Sequence, residues 1–324
     1  MKYELVIGID VSKKKLDVSE FDGEDHNLDQ IENSTKSIRK YLRKYEAKKK
    51  EVLFVAEATG IYHIKMADFL YENNFNIAIV NPLQIKKFGD MKMLRANTDK
   101  TASRQIAEYG YEQEPKLYTK TKNSRRKLVK IMKSMDSLTK TKTSYLNRLE
   151  SINNDSINYE VTERKFKELI AQLDAAIDEL EAEADRIVKK EYPKAKKKLL
   201  KINGVGNVIS TAVIGYFGRF ENFDNAKQPI AFVGINPHPR QSGTSVKGKG
   251  SISKRGTKYL RTKLFMASLS AARFNPACRD LRERLRKKGK HNNVIRIAVA
   301  NKLLRQIFAV LKYDREWDPN YGRG

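Results

Sequence analysis

The sequence holds a single cysteine, Cys278, and only four histidines, scattered over 324 residues. One thiol excludes an internal disulfide and any cysteine-rich zinc site, and no His-x-x-x-His pair is present to hold zinc. Acidic residues are also scarce relative to basic ones: 39 Asp and Glu face 65 Lys and Arg, a formal net charge of +26. That balance is foreign to most small-molecule enzymes and attracts polyanions, of which nucleic acid is the commonest. No apolar run approaches the roughly 20 residues of a membrane-spanning helix. The first residues lead into a strand-like stretch rather than a signal peptide. The expectation is a soluble cytoplasmic protein with no membrane partner, long enough for more than one domain.

What is present falls into three regions. Residues 1–115 read as α/β. "YELVIGID" is a continuous apolar run of strand length, "KKLDVSEFD" alternates as a second strand, and "NLDQIENS" supplies a third. A helix is expected from Thr35 to about Lys48, then a buried strand in "EVLFVAEATG", a helix through Met66 and Leu70, a fifth strand in "FNIAIVNP" and a helix starting near Asp99. Residues 116–198 change character. Leu128, Ile131, Met135, Leu138, Tyr145 and Leu149 keep a three-four spacing interrupted by Lys142, and Ile170, Leu173, Ile177, Leu180, Ala184 and Ile187 repeat it. Such a pair predicts an antiparallel hairpin or an intermolecular coiled coil, ended by Pro193. Residues 199–324 read as mostly helical and basic. The Gly204–Val205–Gly206 turn in "LLKINGVGNVISTAVIGYFG" resembles a helix-hairpin-helix, whose turn amides can approach a DNA phosphate. The following "GINPHPRQSGTSVKGKGSISKRGTKYLR" is too rich in glycine, serine and cations to pack a core and reads as a functional loop or linker.

Asp10 ends the first strand and Glu57 the fourth. If those strands are neighbours, both carboxylates enter one crevice above the sheet, and Asp99 from the later helix completes it. Clustered oxygens suit Mg²⁺, which can stabilise the attacking and leaving oxygens of a phosphodiester. Each acid has a plainer reading as well: Asp99 stands where a carboxylate favours a helix N-terminus, beside a Thr98 that can cap it. Ser242, in "PRQSGTS", sits between Arg240 and a glycine in the cationic loop. A serine attacks phosphorus only when activated and when cations offset the gathering charge, and Arg240, Lys254 and Arg255 are near in sequence. A serine in such a loop is also an ordinary spacer.

"GIDVSKKKLDV", "EATGIY", "NTDKT", "INGVG", "PRQSG" and "SKRGTKYLR" occur in the order and spacing of one family. The chain resembles, over essentially its whole length, the DEDD transposases of bacterial insertion sequences, the insertion sequence 110 family. The resemblance implies a RuvC-like (RNase H-fold) N-terminal domain, a coiled-coil helical linker and a mostly α-helical C-terminal transposase domain. It makes Asp10, Glu57 and Asp99 the first three metal-binding acids and Ser242 the nucleophile that joins covalently to DNA. It further implies Mg²⁺, donor and target double-stranded DNA, a structured guide RNA (bridge RNA or seekRNA), association with the nucleoid on DNA, and a dimer to tetramer in which the metal acids and the serine come from different subunits. Gly204, Gly206, Arg240, Lys254 and Arg255 are the expected nucleic-acid contacts. The Lys and Arg of the first two regions lie without clustered aromatics, so RNA is expected to be held through its backbone and shape.

One position departs from the family pattern Asp-Lys-x-Asp. Asp99-Lys100-Thr101 is followed by Ala102, a methyl in place of the fourth carboxylate. Alanine suits a helix, so the fold should survive while activity is put in doubt. A RuvC-like structure-selective nuclease using water, and a non-catalytic nucleic-acid-binding protein, remain as alternatives. An actin-like phosphotransferase also opens with such a first strand, but a second phosphate-binding glycine loop is lacking.

Overall fold

The computed structural model describes residues 3–58, 60–93, 99–157, 159–238, 241–242, 246–247 and 251–320, while the side chains of residues 99, 100, 238, 241, 242, 246 and 247 lie outside that description. The chain divides into two compact units, Met1–Thr121 and Lys122–Gly324.

The first unit is built on a mixed five-stranded sheet. Strands β1 (Leu5–Val11), β2 (Lys15–Phe21) and β3 (His26–Glu32) form an antiparallel meander, and β4 (Val52–Glu57) and β5 (Asn76–Val80) run parallel to β1, giving the order β3-β2-β1-β4-β5. The near-continuous apolar runs of β1 and β4 are buried on both faces, as central strands covered by helices on two sides must be. The edge strand β3 is polar and largely exposed. Helices α1 (Thr35–Leu42) and α2 (His63–Glu72) cover one face, where Ile38, Tyr41, Met66 and Leu70 pack on Ile7, Ile9, Leu16 and Phe54. Helices α3 (Pro82–Met91) and α4 (Asp99–Gln113) cover the other, where Ile85, Phe88, Ile106 and Tyr109 pack on Val6, Leu53 and Val55.

Two local differences from expectation lie in the helices of this unit. The helix expected to reach Lys48 tightens to a 3₁₀ turn over Arg43–Lys48. Helix α3 is an addition to the expected elements; Asn81 caps it in a reciprocal box with Gln84, and Pro82 occupies its first turn.

Helix α4 is seated by glycines. A Cβ on Gly8 would lie 2.3 Å from both Ser103 O and Ala107 N, and one on Gly110 would lie 2.5 Å from Val55 and 2.8 Å from Val6. Residue numbers rise along α4 as they fall along β1. The helix therefore runs antiparallel to β1, and its first turn lies toward the carboxyl end of that strand.

In the second unit α5 (Asn123–Asn153) and α6 (Glu160–Glu191) form an antiparallel hairpin, shown by the contacts Lys127–Glu183, Lys142–Asp174 and Tyr145–Phe166. Lys142, the polar break in the apolar stripe, is satisfied by Asp174 across the hairpin. The hairpin's base is not a separate region: Leu128, Ile131, Met132, Ala184 and Val188 share one core with Leu199, Val213, Leu260 and Leu303. Those last residues come from α7 (Pro193–Leu200), α8 (Asn207–Phe217), α10 (Lys258–Phe274) and α12 (Asn292–Lys312), joined by α9 (Lys227–Val233) and α11 (Pro276–Lys287). The loop expected between α9 and α10 carries two short antiparallel pairs, β6 (Pro237–His238) with β9 (Ser251–Ile252) and β7 (Gln241–Ser242) with β8 (Val246–Lys247). No helix among the described residues is long and apolar enough to cross a membrane.

Candidate functional site

The parallel pairing of β1 and β4 ends at Ile9 and Ala56, so Asp10 and Glu57 come next in register and share the sheet face of Gly8, Val6 and Val55. That is the face covered by α4, at the strand end over which its first turn lies. Both acids are half-buried. The expected adjacency of the two strands is therefore present, and it brings the two carboxylate-bearing positions together. Asp99 is the first residue of α4; its side chain lies outside the described residues. Ala102 follows one turn later, half-buried.

An acid that sequence reasoning missed joins this row. Asp17 on β2 is the direct antiparallel partner of Asp10, and Gln30 on β3 is the partner of Asp17. A polar row, Gln30–Asp17–Asp10–Glu57, thus crosses four strands. Like charges directly opposite each other on a sheet are unfavourable. Asp17 is relieved by Gln30 Nε2, which donates to Oδ1 at 2.5 Å, and by Lys15 Nζ at 3.3 Å from Oδ2. Its signal lay in the alternation of "KLDVSEF", which sets Asp17 and Ser19 on one face.

The donors offered by Asp10, Glu57 and the position of Asp99 are all carboxylate oxygens, a set that fits a hard divalent cation such as Mg²⁺. Among the described residues no group of three or more His, Cys, Asp or Glu stands close enough to hold a metal ion.

A second cluster holds α4 to the sheet edge. Ser19 Oγ and His26 Nδ1 are 2.8 Å apart, His26 Nε2 is 3.4 Å from Glu108 Oε1, and Lys92 Nζ is 3.1 Å from Glu108 Oε2. Phe21 stacks on the His26 ring at 4.4 Å. Burial pulls the His26 pKa below its ordinary value, against the raising influence of Glu108. Ser19 is fully buried and cannot meet a substrate, so this Ser–His–Glu line is a clamp rather than a catalytic triad.

In the second unit Ser242 closes β7 opposite Val246. Its side chain and the whole of Arg240 lie outside the described residues. Lys254 and Arg255 are exposed on a turn fastened at its backbone: Ser253 N donates to Asn236 O at 3.0 Å, Lys254 N to Gly234 O at 3.1 Å and Thr257 N to Phe232 O at 3.2 Å. Lys254 holds φ at 54°, a left-handed conformation uncommon for lysine. The two glycines of the helix-hairpin-helix-like turn have different roles. Gly204 has φ 98°, and a Cβ there would lie 2.6 Å from Ala271 Cβ, so the fold itself requires it. Gly206 caps α8 without any side-chain hydrogen bond, and a Cβ there would meet nothing within 4 Å. Cys278 is buried, with its thiol pKa pushed up to about 12, and is inert.

Comparison with known proteins points to one family. An IS110-type DEDD transposase family matches residues 7–153, and the family described as Transposase IS116/IS110/IS902 matches residues 196–283. The pilin gene-inverting proteins of Moraxella lacunata and Moraxella bovis are each 29% identical over 267 residues, covering 82% of this chain and 81% of theirs. A probable family 20 transposase of Pseudomonas aeruginosa is 29% identical over 159 residues, 48% of this chain and 46% of its own. A solved structure of T. thermophilus RuvC with a Holliday junction substrate overlays 36% of this chain and 100% of its own at 11% identity and a TM-score of 0.28. The strand order, rather than that overlay, carries the fold assignment. An RNase H-like mixed sheet with acids at adjacent strand ends, together with these family matches, defines a DNA-acting transposase or recombinase. The chain belongs to the IS110 family of insertion-sequence transposases. Asp10, Glu57 and Asp99 fall in the first matched segment, and Gly204, Gly206, Ser242, Lys254 and Arg255 in the second.

Proposed function

We propose that the protein is an RNA-guided recombinase that cuts and rejoins double-stranded donor and target DNA through a covalent link to Ser242. The observation that carries this reading is the in-register pair Asp10–Glu57 at the strand end over which α4 begins. Asp10, Glu57 and Asp99 would hold Mg²⁺, which when bound would offset phosphate charge and favour the ionised form of an attacking oxygen. Ser242 Oγ forms a bond to phosphorus as the bond to one sugar oxygen breaks, leaving a sugar hydroxyl; reversal with a hydroxyl from another strand rejoins the DNA and frees the serine. Arg240, Lys254 and Arg255 offset the charge gathering on phosphorus. The amides of the first turn of α8, opened by Gly206, take a backbone phosphate. Relatives named for inverting a gene support rejoining over simple cleavage, because an inverted segment must be resealed.

The cations of the first unit and the hairpin hold a structured guide RNA by backbone and shape. The far half of the hairpin pairs copies into a dimer or tetramer by coiled-coil packing. Beyond Met135 its apolar residues are only half-buried or exposed, Leu146 and Val161 among them.

Ala102 removes one acid from the set, so the chain as it stands is expected to turn over weakly, and Ala102→Asp to raise activity. The decisive test is denaturing electrophoresis of the Ala102→Asp protein with guide RNA, Mg²⁺ and labelled donor and target duplexes. A protein–DNA adduct lost in Ser242→Ala supports the reading. DNA cut without adduct would instead identify a nuclease that directs water.

A further inference from the structure

The turn that joins β1 to β2 lies beside the acid row and carries three consecutive lysines. Its backbone is fixed from both sides. Ser12 N donates to Lys15 O at 3.0 Å, Ser12 Oγ to the same carbonyl at 2.8 Å, and Lys15 N to Ser12 Oγ at 3.2 Å. From β3's end, Asn33 N donates to Lys14 O at 2.9 Å and Asn33 Nδ2 to Ser12 O at 2.8 Å. None of these bonds uses a lysine side chain.

The three lysines are not equivalent. Lys15 neutralises Asp17. Lys13 and Lys14 are exposed, and neither pairs with a carboxylate among the described residues. Lys44, Lys49, Lys87, Lys92 and Lys120 each have an acidic partner, while Lys36, Lys48, Lys50 and Lys65 are exposed and, among the described residues, form no ion pair either; what sets Lys13 and Lys14 apart is the fixed turn close to Asp10. Two unneutralised cations therefore stand on a rigid turn a few residues from Asp10, at the same end of the sheet.

This placement answers an electrostatic problem. A row of carboxylates repels a phosphodiester, and the repulsion acts before any bound cation can engage the substrate. Fixed positive charge at the rim lowers that barrier. Because no ion pair has to be broken and the backbone is already ordered, binding costs only the freedom of two side chains. Lysine is a point charge without a planar fork, suited to phosphate at any sequence.

We propose that the Lys13–Lys14 turn is a phosphate-binding site for the backbone of double-stranded DNA entering the acid row. The site rests on the recombinase reading above, and it is tested by a measurement independent of catalysis. Binding of a fluorescein-labelled DNA duplex to the full chain is followed by anisotropy without divalent metal over a series of salt concentrations. Each phosphate neutralised contributes about 0.9 to the slope of log K against log salt. Lys13→Gln/Lys14→Gln should flatten that slope by about one to two with no change in melting temperature, and Lys13→Arg/Lys14→Arg should restore it. An unchanged slope, with normal binding by the parent chain, overturns this site alone. Lysine dependence seen only with a structured RNA probe overturns it in favour of RNA. Failure of the parent chain to bind the duplex at low salt overturns both the site and the recombinase reading.

Discussion

At Gly206 a methyl group would meet nothing within 4 Å, and its φ of −97° is one any residue adopts. Gly206→Ala should therefore leave the melting temperature unchanged and weaken binding of duplex DNA, since a Cβ there intrudes only on a ligand. Gly204→Ala should do the reverse and cost stability, because φ is 98° and Ala271 is in the way. Gly8 is a stricter case, with backbone atoms of α4 at 2.3 Å from its Cβ direction. Gly8→Ala has to push α4 off the sheet, at a cost of about 1–3 kcal/mol or more, visible as a lower denaturant midpoint. At Ala102 the change to aspartate meets a half-buried position on a helix. It should raise Mg²⁺ affinity in calorimetric titration while changing the melting temperature little.

At the scale of elements, α4 is the piece on which the acid site depends, and the Ser19–His26–Glu108–Lys92 line is its polar fastening. The pKa of His26 is held below its ordinary value of about 6.5 by burial. The unfolded chain therefore takes up a proton more readily than the folded one as pH falls. Stability is full above that ordinary value and is lost as pH drops toward the lowered folded pKa. The melting temperature should fall on acidification from pH 7.5 through about 6, and His26→Gln should flatten that fall; an identical profile in the variant would show that the His26 pKa does not differ between the folded and the unfolded chain. Much of this unit was legible in the sequence. The five strands follow from apolar runs and alternation, and the acids at the ends of β1 and β4 follow from where those runs stop. Asp17 and the His26 clamp were not legible: Asp17 gains its place from cross-strand register with Asp10 and Gln30, and His26 gains its own from the neighbouring strand through Ser19 and from the packing of α4 through Glu108. Helix α3 left a readable mark in Asn81-Pro82 and Gln84, hidden by the short interval between β5 and α4.

For the whole molecule, the sequence suggested three regions, whereas the hairpin's base lies in the same core as the C-terminal helices. The three-four spacing continues unbroken along both helices and cannot mark where a third layer of packing stops. Burial along the hairpin does mark it. If the far half pairs copies of the chain, Leu146→Asp with Val161→Asp should shift the mass measured by light scattering toward the monomer without lowering the melting temperature, since both residues are exposed. The proposed recombination rests on the chemistry of Ser242. Ala102→Asp protein incubated with guide RNA, Mg²⁺ and labelled donor and target duplexes, then denatured, should carry DNA covalently, and the adduct should vanish in Ser242→Ala and in Asp10→Asn. An adduct that persists in Ser242→Ala, or cut DNA with no adduct in the parent, would contradict it.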